Sequence, residues 1–222
     1  QILLTHTHTA LSSLTMPKLY YTPTSCGAAN FLAAKLAGVT LESEQVDLRT
    51  HQTTSGVDFY TINPKGNVPA IILDDGTVLN ENAATLIWIG DQDASHSILP
   101  AAGTVDRYLV HQALSFVGTE YHKVVGNLFN PTIPQEVRDY FIQGSNTKLT
   151  YLNDVYLKDK EFVVGGKLSV GDLYLYICLS WSGYLGLDLN QYPVVNDYFK
   201  RIGAIPGIVA AHEAMASNPS HT

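Results

Sequence analysis

The chain has 222 residues, 45% of them apolar and 15% charged, a composition that excludes a disordered or fibrous protein. At about 150 residues per domain it makes one large domain or two small ones, long enough to bury roughly 70% of its unfolded surface without a metal or disulfide staple. Its 13 Lys and Arg against 20 Asp and Glu leave a net charge of -7, so nucleic acid is a poor partner, and no long apolar run is present to span a membrane. Residues 1–15 (QILLTHTHTALSSLT) lack an initial Met and a basic stretch, so they make a poor signal peptide; Met16 is the expected start and the segment an extension or upstream sequence. Its His6 and His8 could share a metal, but two histidines alone make a weak site, a polar tail is the plainer reading, and no metal is expected. Residues 18–22 (KLYYT) are predicted as a strand closed by Pro23 and Thr24, with Ser25 capping a helix over 26–37 that Gly38 ends. A second strand is predicted over 40–47, then irregular or weakly helical chain over 51–61. Pro69 opens an apolar strand over 70–73, Asp74-Asp75-Gly76 turns it, and 77–79 returns. Apolar residues at 83, 84, 86, 87 and 89 have helical spacing within 81–91. The polar stretch 94–103, broken by Pro100 and Gly103, is expected to link this βαβ-ββα unit to helices over 104–127, 135–157, 170–185, 193–203 and 206–217. The pattern alone predicts a small α/β domain followed by an all-helical one.

Two cysteines, Cys26 and Cys178, permit at most one disulfide. Cys26 follows a strand at the predicted start of a helix, where orphan N–H groups and the helix dipole stabilise an anion. That place lowers a thiol's pKa, and it would equally stabilise a thiolate brought by a ligand; the plain alternative is an inert buried cysteine. Ala29 stands where a second cysteine would complete C-x-x-C, which excludes a dithiol cycle within this motif. In Asn63-Pro64-Lys65-Gly66-Asn67-Val68-Pro69-Ala70 the second proline either protects the start of a strand or, as a cis residue, turns the Val68 N–H and C=O toward a peptide-like ligand. Glu81-Asn82 opens a helix; Glu81 is either a cap, worth about 0.3–1 kcal/mol, or an acceptor for a ligand's ammonium while Asn82 holds its carboxylate. His122, in Glu120-Tyr121-His122-Lys123, is either a general acid/base or donor to a thiol, or a structural histidine on a helix. Ser169-Val170-Gly171-Asp172 is a capping box with Asp in place of Glu and is assigned to folding. Gly-rich phosphate loops, zinc spacings and G-x-S-x-G are absent, which leaves nucleotide-binding and serine-hydrolase readings without support.

The blocks KLYYTPTSC, NPKGNVPAIILDDGTVLNE, FVGTEYHK and LSVGDLYLY, in this order and at these separations, resemble the glutathione transferase family, and most of all its bacterial beta class, over about 17–218. The resemblance implies a thioredoxin-like glutathione-binding domain over 16–93, a linker over 94–103, and an all-helical domain over 104–222 that carries a hydrophobic substrate site. It also implies a cytoplasmic homodimer. By the same resemblance, Val68, after Asn67 and beside a cis Pro69, pairs through its backbone with the cysteinyl part of glutathione, and Glu81 and Asn82 take the γ-glutamyl end. Cys26 matches the cysteine set beside the glutathione sulfur, and Tyr21, Ser25, His122 and Lys123 match residues near it. His51 stands where the class often has a lysine for the glycyl carboxylate, and Ser115 where a partner-subunit asparagine often contributes. The class usually has Ser or Gly in place of Asn82.

The leading functional expectation is an enzyme that transfers the glutathione thiolate to small hydrophobic electrophiles, a detoxifying activity with glutathione as substrate and no metal. A second is a thiol reductase, dehalogenase or ether-cleaving lyase that works through a mixed disulfide on Cys26. A third is a non-catalytic carrier of hydrophobic ligands or a regulatory glutathione-binding protein. The position of Cys26 leads to the expectation that its pKa is depressed, whereas Cys178, between Ile177 and Leu179, is expected to be inert.

Overall fold

The structure, a computed structural model, describes residues 16–217; the 1–15 segment, with His6 and His8, lies outside the described residues. Strand β1 (Lys18–Tyr21) is central, and its alternation sends Leu19 and Tyr21 to one core cluster and Tyr20 to another. Its parallel neighbour β2 (Glu42–Asp47) sets Glu44 opposite Tyr20. Two parallel strands need a crossover, and α1 (Ala28–Leu36) supplies it. β3 (Gln52–Thr53) pairs antiparallel with β2. β4 (Ala70–Ile72) lies antiparallel on the other side of β1, and β5 (Val78–Asn80) antiparallel to β4, giving the order β3-β2-β1-β4-β5. The segment 51–61, expected to be irregular or weakly helical, holds a 3-10 turn, Phe59–Thr61, capped by the Asp58 side chain, and an unexpected strand, β3. Two residues are too short for a periodic signal, so only the pairing with β2 reveals β3.

Helix α2 (Asn82–Asp91) closes this unit. The stretch predicted as a polar linker carries two core residues, for Ile98 and Leu99 are buried. Leu99 occupies the space above Gly90 that a side chain there would need, and the Ile98 carbonyl accepts from the Val170 N–H at 2.9 Å. The connection is thus pinned to both parts of the chain.

The expected first long helix is interrupted: α3 (Val105–Phe116) passes through a π-helical turn, Val117–His122, into the short α4 (Lys123–Gly126). A π turn inserts one residue per turn and re-aims the side chains on it, here Tyr121 and His122, and such turns are frequent at functional sites. A second π turn, Leu152–Tyr156, follows α5 (Gln135–Tyr151). α6 (Val170–Ser180) and the short α7 (Ser182–Leu185) follow, then α8 (Pro193–Gly203), started by its proline at the first turn, and α9 (Pro206–Ser217). This is a thioredoxin-like mixed sheet with helices, followed by a helical domain. Alanines 28, 29, 33 and 34 keep α1 slim enough to pack on α2 and also on α6 and α9, so one core cluster runs through both parts. Among the described residues no helix is long and apolar enough to cross a membrane.

Candidate active site at the junction of sheet and helices

Between β1 and α1 the chain makes a turn shaped by Ser25, whose hydroxyl donates to Thr22 O (2.8 Å) and accepts from the Gly27 N–H (3.1 Å). Ser25 therefore holds the turn and does not cap the helix: α1 starts later than predicted, with Gly27 at its cap and no side-chain cap bond. Cys26 precedes the helix, is 8% exposed, and its S–H donates to the Val68 carbonyl at 3.7 Å. The Val68–Pro69 bond is cis and stands just ahead of β4. Burial pushes the Cys26 thiol up to about 12, the Glu81 carboxylate adds to this, and the N–H groups of Cys26 and Gly27 oppose it only in part. The expected depressed pKa is thus reversed, because desolvation outweighs the end of a helix that begins too late to enclose the sulfur. Cys178, free and buried, is pushed up as well, first by burial and then by Cys26.

Glu81 sits in the left-handed half of backbone space (φ 71°, ψ 121°), where a non-glycine residue costs about 1–3 kcal/mol. Its side chain makes no cap hydrogen bond to α2; it is ion-paired with Lys65, whose Nζ also donates to Asn80 Oδ1 at 3.3 Å. Asn82 is buried and turns inward, its Oδ1 accepting from Asn30 Nδ2 at 2.6 Å. His51 is a second strained residue (φ 53°), tied to Asp47 O at 2.7 Å, with its ring 4.4 Å from that of Tyr60. Tyr60 in turn covers Gly66 (φ 67°), where any side chain would collide with the phenol. Asn67 is exposed, and Asn63 Nδ2 donates to its carbonyl at 2.7 Å.

On the helical side, His122 Nδ1 lies 2.6 Å from the Tyr174 hydroxyl, and its ring meets Trp181 edge-on at 4.9 Å. The Trp181 indole donates to Thr24 O at 3.0 Å, which fastens α6 to the turn that carries Cys26. Burial lowers the His122 pKa to about 4, with Lys123 adding to it, so the imidazole is neutral at physiological pH. Lys123 is exposed. Tyr21 is 0% exposed and stacked on Phe31 at 5.0 Å, part of the core beneath the turn that carries Cys26.

Residues 26–92 match the family described as the glutathione S-transferase N-terminal domain, and residues 119–214 its C-terminal domain. The glutathione S-transferase GstA of Escherichia coli O157:H7 is 30% identical over 89% of this chain and 98% of its own length. A sphingomonad glutathione S-transferase solved with glutathione superposes with a TM-score of 0.86 at 36% identity, over 90% of this chain and 99% of that one. A bacterial beta-class enzyme from Sphingomonas chungbukensis gives 0.84 at 37% identity, over 89% and 98%. The chain belongs to the glutathione S-transferase family.

In this transferase the structure brings together Ser25, Cys26 and Val68, with Glu81 acting on the thiol, and joins His122 to the same turn through Trp181. Ser115 stands apart, exposed on α3 in a cleft of about 290 Å³ shared with Phe116, Tyr151 and Tyr156. Three residues of the region were not singled out from the sequence as ligand or sulfur residues: Lys65, Asn30 and Tyr174; the region near Trp181 was expected only as part of the wall for the second substrate. Lys65 sits inside the NPKGNVP block and Tyr174 two residues beyond Asp172, so the motifs contained them; nothing in the local pattern tells which neighbours they meet.

Proposed function

We propose that this transferase binds glutathione with its cysteinyl backbone on Val68 and its γ-glutamyl ammonium on Glu81, and passes the glutathione thiolate, rather than a thiolate of its own, to a small hydrophobic electrophile. The observation that carries this is the placement of Cys26: it is 8% exposed and its S–H donates to the Val68 carbonyl at 3.7 Å, an environment in which burial also pushes the thiol up, so it is held as a thiol and not as an attacking thiolate. A cysteine thiol near 8.5 is only a few per cent ionised at pH 7, and lowering it to about 6.5 is worth about 2.7 kcal/mol of thiolate stabilisation. A donor from His122, the charge of Lys123 and, where its proton turns from the Val68 carbonyl to the ligand, the Cys26 S–H are the groups available for that task. His51, Asn67 and the N–H of Asn82 then lie along the peptide part of the ligand. The edge formed by His122, Trp181 and the half-exposed Phe129 is an apolar wall for the electrophile. Exposed Tyr108, Leu109, Tyr140 and Val155 on α3 and the chain around α5 support a homodimer, in which Ser115 would serve the partner's site; sedimentation at twice the monomer mass is the expected result. Detoxification in a reducing cytoplasm suits a site built on free thiols.

The test compares wild type with Cys26→Ala. Conjugation of glutathione to 1-chloro-2,4-dinitrobenzene is expected to persist, and in wild type iodoacetamide should modify Cys26 no faster than an ordinary thiol at pH 7, read peptide by peptide in mass spectrometry. Loss of all conjugation in Cys26→Ala, with a Cys26 midpoint below about 8, would make Cys26 the nucleophile.

A further inference from the structure

The His122 imidazole is neutral, so one ring nitrogen carries a proton and the other a lone pair, and only the first can stabilise a thiolate. Nδ1 is taken by the Tyr174 hydroxyl at 2.6 Å, with the two rings at 86° and 5.7 Å. Tyr174 is 3% exposed, and burial, with Cys178 and Cys26 adding to it, holds its phenol protonated. The direction of this bond follows from the burial of the phenol: among the described residues His122 Nδ1 is the hydrogen-bond partner of the Tyr174 hydroxyl, and it is the acceptor for the phenol proton. Were the hydroxyl to accept from Nδ1 instead, a buried O–H would be left without an acceptor. We infer that Tyr174 is a positioning residue: its hydroxyl donates to His122 Nδ1 and fixes the Nε2–H tautomer, so that Nε2, the ring nitrogen Tyr174 leaves free, carries a donor and not a lone pair. Tyr174 and His122 then act as one hydrogen-bonded unit on the helical side of the sulfur site. The inference rests on the reading that His122 lies beside the glutathione sulfur.

Two measurements on the full chain decide it. In nitrogen-15 spectra of the histidine-labelled wild type, His122 Nδ1 is expected to show the unprotonated signature and Nε2 the protonated one; a proton on Nδ1 overturns the inference whatever any variant does. Tyr174→Phe is expected to lower kcat for aryl-halide conjugation about tenfold, with KM for glutathione little changed, and to have no further effect in a His122→Phe background. A fall in kcat that persists undiminished in that background means that Tyr174 does not act through His122. If His122→Phe alone leaves kcat intact, the placement of His122 beside the sulfur fails; if it lowers kcat while Tyr174→Phe does not, the placement stands and the inference falls.

Discussion

Glu81 combines three properties that rarely meet in a structural residue: a strained backbone, a side chain free of the helix it opens, and an ion pair with a partner that is itself exposed. A solvent-exposed pair such as Lys65–Glu81 contributes about 0–1 kcal/mol, so exchanging Lys65 for a ligand ammonium costs little. Glu81→Ala is expected to weaken glutathione binding in calorimetry. Loss of one partner of a charge-assisted bond would give up to about 150-fold, but the Glu81 side chain is 67% exposed, and screening brings the expectation to about 5- to 15-fold. Unchanged affinity would remove Glu81 from the site. The residue was legible in the NPKG…LNE block; its lack of a cap hydrogen bond was not, because capping and ligand-facing geometries share the same sequence position.

Among the elements, α6 shows the capping box as expected, with more attached to it than two residues imply. Asp172 accepts from Ser169 N (2.8 Å), Ser169 Oγ (2.7 Å), Val163 N (2.8 Å) and the Tyr198 hydroxyl (2.8 Å), all away from water. Asp172→Ala leaves these donors unmatched and is expected to cost about 3–5 kcal/mol, or on the order of 10 °C in Tm by calorimetry, while the folded fraction binds glutathione as before. Normal melting with lost activity would move Asp172 into the site. The β1–β2 pair supplies a pH dependence. Burial acts to raise the Glu44 carboxyl, but hydrogen bonds from Lys18 and Ser55 outweigh it and bring it down to about 2. A depressed folded-state pKa gives stability that is present above about 4.3 and lost as pH falls toward 2. In acid titrations followed by circular dichroism, Glu44→Gln should flatten the loss between about pH 4.5 and 2; an unchanged slope would show that other carboxylates govern it.

At the scale of the molecule, the sheet and the helices act as one body because α1 is shared and the connection is pinned. Arg107 makes the polar part of that joint. It is almost wholly buried, bidentate to Asp91 at 2.8 and 2.9 Å, and it also donates to Pro100 O and His111 Nε2. Its hydrogen bonds hold the Asp91 carboxyl below its ordinary pKa. Asp91→Ala leaves the guanidinium short of its charge partner. A fully buried pair would lose 3–5 kcal/mol, but Asp91 is 43% exposed, so about 1–2 kcal/mol is expected, a fall of roughly 2–8 °C in Tm. A Tm that stays put would make the joint purely hydrophobic.

The sequence by itself determined the order of elements, the change from mixed sheet to helices, the capping box and the blocks that resemble the family, because turn chemistry, helical spacing and motif order are local properties. Only the tertiary structure decided how the site is wired. The Cys26 thiol meets a carbonyl 42 residues away, His122 a hydroxyl 52 residues away, and Trp181 a carbonyl 157 residues away. The protonation of Cys26 follows from desolvation by such distant neighbours, which is why a reading from its place before a helix pointed the wrong way. The inward turn of Asn82, the burial of Tyr21 and the π turn under His122 are likewise set by packing across the junction, where no pattern along the chain records which faces will meet.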